Sequence, residues 1–124
     1  MREVEITLGG QTLRLAANYK ASMEIAKKVG DPLTIMREAA LEAMFIDRGI
    51  AYEPKWRFSV ENVTMTLAIG LKAAGSTMKV SELEDLIFSA GFADSKNAAA
   101  EYLGIIVGPK PEEVTDAEGE ASGN

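Results

Sequence analysis

Residues 3–15 read EVEITLGGQTLRL, and this stretch decides the architecture. Val4, Ile6 and Leu8 alternate with Glu3, Glu5 and Thr7 as far as Gly9 and Gly10, and Leu13 and Leu15 resume the alternation afterwards. A period of two predicts strands with one apolar face, and a pair of glycines between them predicts a β-hairpin with a two-residue turn. A turn at Gly9 and Gly10 sets Ile6 opposite Leu13 and Val4 opposite Leu15 on one face. Glu5 then faces Arg14, and Thr7 faces Thr12, on the other. An isolated hairpin is marginal in water, so the rest of the chain has to cover its apolar face.

Beyond the hairpin the chain reads as helical. Asn18 caps a helix running to about Val29, with Ala21, Met23, Ile25 and Ala26 as its buried positions and Gly30 as its stop. Asp31 and Pro32 start a second helix, for which Leu33, Met36, Ala40 and Met44 give an apolar stripe and Gly49 an end. Ser59 caps a third that finishes before Gly75. Between Val63 and Leu71 it carries no charge, so it is expected at the centre; its β-branched residues leave a buried strand as the alternative, which length and caps disfavour. Ser81 with Glu84 forms a capping box for a fourth helix, whose stripe is Leu83, Leu86, Ile87 and Ala90. Asp94 or Ser95 caps a fifth, with Ala99, Tyr102, Leu103 and Ile106 inward. The fold expected is α+β, a two-stranded hairpin packed on four to five helices, with residues 1–108 as a single domain and residues 109–124 as a disordered acidic tail.

Composition narrows the chemistry. The chain has 124 residues, neither cysteine nor histidine, and a net charge of -6. Without those two residue types there is no thiolate nucleophile, no disulfide, no Cys/His metal site and no triad with an imidazole base. The expectation is a protein that binds other proteins and is not an enzyme, with no catalytic residue, no cofactor and no metal. Glu112, Glu113, Asp116, Glu118 and Glu120 stand against Lys110 beyond residue 108, and no basic stripe appears elsewhere. Nucleic acid is therefore not an expected partner. No apolar run is long enough to span a bilayer and the N-terminus has no signal-peptide pattern, which points to the cytoplasm and away from membranes.

Three motifs need weighing. Residues 70–77, GLKAAGST, mimic P-loop spacing, but Ser76 stands where the phosphate-binding lysine belongs, and the segment closes a helix instead of opening one. Glu82, Glu84 and Asp85 sit in the first turn of a helix, where the macrodipole favours carboxylates without any metal. The connection from Phe45 to Phe58 is more informative, since it holds Phe45, Tyr52, Trp56 and Phe58, four aromatic residues around Pro54. Tyr52, Trp56 and Phe58 share one parity, as an extended segment showing one face requires. They are the candidate protein-binding residues, with aromatic anchors facing a partner as one reading and a staple over the third helix as the other.

The Gly-Gly hairpin, the segment ASMEIAKKVG at residues 21–30, the segment AIGLKAAG at 68–75 and the closing helices ending in Tyr102, Leu103 and Gly108 together carry a resemblance. Over about residues 3–108 the chain is similar to the phage tail family of gene transfer agents and siphophage-like prophages, grouped with the tail assembly chaperones. The resemblance implies a chaperone of tail morphogenesis in the cytoplasm of a bacterial host, binding the tape-measure protein and the tail tube protein, with self-association as a further expectation. A structural tail component retained in the particle is the alternative. The aromatic connection is longer than the family's short link at that point.

Overall fold

The computed structural model describes residues 2–108, and the tail expected from residue 109 lies outside them. Strands β1 (Arg2–Leu8) and β2 (Gln11–Ala17) form an antiparallel hairpin. Helices α1 (Tyr19–Lys28), α2 (Pro32–Asp47), α3 (Val60–Ala73), α4 (Val80–Ala90) and α5 (Phe92–Val107) come after it, so the fold is α+β. The ladder pairs Val4 with Leu15, Glu5 with Arg14, Ile6 with Leu13 and Thr7 with Thr12, in the register the alternation predicts. Gly9 and Gly10 have φ of 57° and 80°, which a type I′ turn demands of both central residues. Arg14 reaches diagonally to the Glu3 carboxylate at 3.3 Å instead of pairing with Glu5.

Ile6, Leu8, Leu13 and Leu15 are buried, and α3 lies against β2 while also packing on α1, α4 and α5. The uncharged run Val63 to Leu71 is thus the middle of the molecule. Ser59 caps α3, its Oγ accepting from the Asn62 N–H at 3.0 Å. At the other end Gly75 takes φ 78°. Its N–H donates to the Lys72 carbonyl and that of Ser76 to the Leu71 carbonyl, a Schellman termination. The P-loop spacing of residues 70–77 is therefore the end of a helix.

Tyr102 on α5 ties the two layers together. Its ring is fully buried and its hydroxyl donates to the Ala16 carbonyl at 2.6 Å. Burial, with a smaller contribution from the Glu24 charge, pushes its phenol up to about 12. Since the folded value lies above the unfolded one of roughly 10, this group's contribution is whole below pH 10 and is lost as pH rises towards 12. Tyr102→Phe leaves the Ala16 carbonyl unpartnered and is expected to cost about 1–2 kcal/mol. Urea unfolding at pH 8 and at pH 11 checks both points: the gap between parent and variant should narrow at the higher pH, and a constant gap would remove the phenol from the account.

Two helix starts and one helix face differ from expectation. Helix α4 begins before Ser81, because the Glu82 carboxylate accepts from the Lys79 N–H at 2.9 Å and closes the first turn there. Helix α5 begins before Asp94, directly after Gly91, whose φ of 99° turns the chain from one helix into the next. Ser95 then donates its hydroxyl to the Gly91 carbonyl from inside the helix. In α1, Met23 is exposed while Ala21 and Ile25 are buried. On α2 the buried residues are Pro32, Ile35 and Glu38. Leu33 is 68% exposed, and Ala40 and Met44 also face solvent. Of the expected stripe only Met36 packs against the core; the other three residues lie on the outer side of the helix.

Candidate protein-binding site

The site is built on a carboxylate. Glu38 projects from the inner side of α2 with 2% of its surface exposed. One oxygen, Oε1, accepts from the Tyr52 hydroxyl at 2.9 Å and from the Lys55 backbone N–H at 2.7 Å. Arg37 approaches the other oxygen at 3.9 Å. A buried carboxylate is tolerated only with such partners, and no buried side-chain N or O among the described residues lacks one. The Lys55 N–H, then the Tyr52 hydroxyl, hold the Glu38 carboxyl below the usual carboxylate range, while Glu38 raises the Tyr52 phenol in return.

Glu38 therefore pins the connection between α2 and α3 from beneath. Along residues 51–59 burial alternates strictly, with Tyr52, Pro54, Trp56 and Phe58 turned inward and the intervening residues exposed. The three candidate residues do share one face. It faces the body of the protein, and each ring remains partly accessible. Tyr52 stacks on Phe45 at 5.1 Å. Trp56 meets Phe58 edge-on at 4.8 Å, both rings rest on the core, and the indole N–H donates to the Val29 carbonyl at 3.4 Å.

Because the folded Glu38 carboxyl is lowered, its contribution is present above the unfolded carboxylate value and disappears as pH falls through the folded one. Glu38→Gln is expected to be less stable than the parent at pH 7, with the gap closing below about pH 4. Thermal melts at pH 3 and pH 7 measure this. An equal gap at both would mean that the ionised form matters little.

Trp56 and Phe58 leave one edge on a cleft of about 460 Å³ between α2 and α5. Ile35, Ala39 and Ile46 supply its apolar floor. Its charged lining consists of Arg57 and Lys96, with Glu42 held 3.9 Å from Arg57. Tyr52 does not line the cleft; it anchors the segment through Glu38. Sequence reading missed Glu38, because a glutamate between Arg37 and Ala39 carries no mark of burial. The carboxylates Glu82, Glu84 and Asp85 do not come together as a metal site, and no group of three or more metal-ligating side chains occurs among the described residues. Lys72 lies 3.6 Å from Glu24 at the surface. No described helix is long and apolar enough to cross a membrane. No family model, curated protein or solved structure matches the chain.

Proposed function

We propose that this protein is a phage or prophage tail assembly chaperone that works by binding tail proteins, the tape-measure and tail tube proteins, in the host cytoplasm. The observation that carries the reading is the cleft between α2 and α5, where Trp56 and Phe58 present ring edges over an apolar floor beside Arg57 and Lys96. Such a surface suits the apolar stripe of a helical client, with rigid aromatic groups as anchors. A tape-measure protein is expected to be a long helical chain whose stripe needs cover until the tube closes around it. The hairpin, the segments at residues 21–30 and 68–75 and the closing helices that carry the family resemblance give the same direction.

The test is capture of a coexpressed tape-measure protein by the tagged full chain. Trp56→Ala is the central variant, and it has a cost of its own, because the ring lies over Gly30 and Ile35. Removing it is expected to lower stability by about 3 kcal/mol, the lower end for a large aromatic residue since this one is only partly buried. Lys96→Glu, at an exposed position, should leave the melting temperature unchanged and weaken capture. A folded Trp56→Ala protein and a Lys96→Glu protein that both capture the client normally would exclude the cleft. Detection of the chain in purified particles would favour a retained tail component over a chaperone.

A further inference from the structure

A second surface shares no residue with the cleft. Val60 and Met65 on α3, Val80 and Phe88 on α4, and Phe92 at the start of α5 line a groove of about 630 Å³. Phe88 is 75% exposed, Val60 and Val80 are both more than half exposed, and the Phe88 and Phe92 rings meet edge-on at 6.0 Å. Exposed apolar residues are ordinary when scattered, but contiguous patches mark interaction surfaces. The charged side chains along this groove are Glu61, from α3, and Glu84, from α4. Both are exposed, and neither takes part in an ion pair among the described residues. Each wall of an apolar trough thus carries one unpaired carboxylate.

From this geometry we infer that the α3–α4 groove is a docking site for an amphipathic helix of a partner protein whose apolar stripe is flanked on both sides by lysine or arginine. The dimensions agree. From Val60 to Ala68 the α3 wall covers roughly 12 Å at 1.5 Å per residue, about the two turns over which side chains at i, i+3 or i+4, and i+7 line up. The charges select the occupant. In a two-fold dimer the same patch meets itself, so the carboxylates of one copy would be brought to a surface whose charged groups are again carboxylates, whereas a basic flank satisfies both and excludes acidic competitors.

The experiment uses the full chain and two labelled 18-residue helical peptides with the same leucine stripe, one flanked by lysine and one by glutamate, with binding read by fluorescence anisotropy. The lysine peptide should bind at least about tenfold more tightly than the glutamate peptide at low salt. Phe88→Asp, a surface change, should weaken it by about tenfold or more without moving the melting temperature. Glu61→Gln with Glu84→Gln leaves the apolar floor intact and should remove most of the preference and most of its salt dependence. Equal binding of the two peptides that Phe88→Asp weakens alike, no binding of the lysine peptide, or lysine-peptide binding indifferent to Phe88→Asp would overturn the inference. So would self-association of the chain that Phe88→Asp abolishes, since the occupant would then be a second copy. The cleft variant Lys96→Glu should bind the lysine peptide as the parent does, which keeps the two surfaces experimentally separate.

Discussion

Ile6→Asp should leave the domain largely unfolded at room temperature, whereas Thr7→Asp, one residue along the same strand, should melt within a few degrees of the parent. Ile6 is buried in the core on the strand that packs against α5 and α4, and Thr7 is exposed opposite Thr12. An unpaired carboxylate in that core costs on the order of 4 kcal/mol or more, and a small domain has roughly 5–15 kcal/mol in total. The exposed substitution should stay within about 0.5 kcal/mol. Circular dichroism against temperature on both variants decides the matter; similar melting temperatures would mean that the strand register is wrong.

The second large effect concerns two glycines inside helices. Replacing a helix-interior glycine by alanine ordinarily gains up to about 1 kcal/mol. At Gly70 a Cβ would lie 2.9 Å from the Tyr102 ring and 3.1 Å from a Leu15 methyl. Neither neighbour can yield, since Tyr102 is held by its bond to Ala16 and Leu15 by the β-ladder. Gly70→Ala is therefore expected to cost about 1–3 kcal/mol, and Gly70→Val to prevent folding. At Gly104 the nearest atom outside its own helix turn is the Met36 methyl at 3.9 Å, so Gly104→Ala should stabilise by about 0.5–1 kcal/mol. Denaturant midpoints of the two alanine variants should move in opposite directions. A gain at Gly70 would show that α3 has room to move off the sheet.

The different legibility of these elements has physical causes. The hairpin is readable because strict alternation and two positive-φ glycines leave one register that keeps Ile6, Leu13 and Leu15 together. Helix α3 is readable because nothing between Val63 and Leu71 is charged. Helix α2 misleads because apolar residues occur around most of its circumference. Leu33, Met36, Ala40 and Met44 form a regular stripe, yet the side that faces inward includes Glu38. What permits that burial is a hydroxyl and an N–H supplied 14 and 17 residues later, and no local pattern announces partners at that distance. The parity of Tyr52, Trp56 and Phe58 is likewise visible, while its direction depends on Glu38. The groove of Phe88 and Phe92 leaves no signal, since exposed phenylalanines in an amphipathic helix look like core until the helix has been placed.

The Arg2 guanidinium donates to the Gly108 carbonyl at 2.7 Å, and the Tyr102 bond to Ala16 joins residues 86 apart in the chain. These contacts make folding order a matter of synthesis. The hairpin leaves the ribosome before every described helix and is stable only when covered, and the last described helix packs on β1. Growing chains can therefore cover Leu15 once α3 has emerged but carry the β1 side of the hairpin, with Ile6, uncovered until α5 does, and closure has to wait for contacts that span most of the described residues. For a nascent polypeptide this is a window in which a holdase can engage it and in which a stalled product is open to proteolysis, both before the finished domain exists.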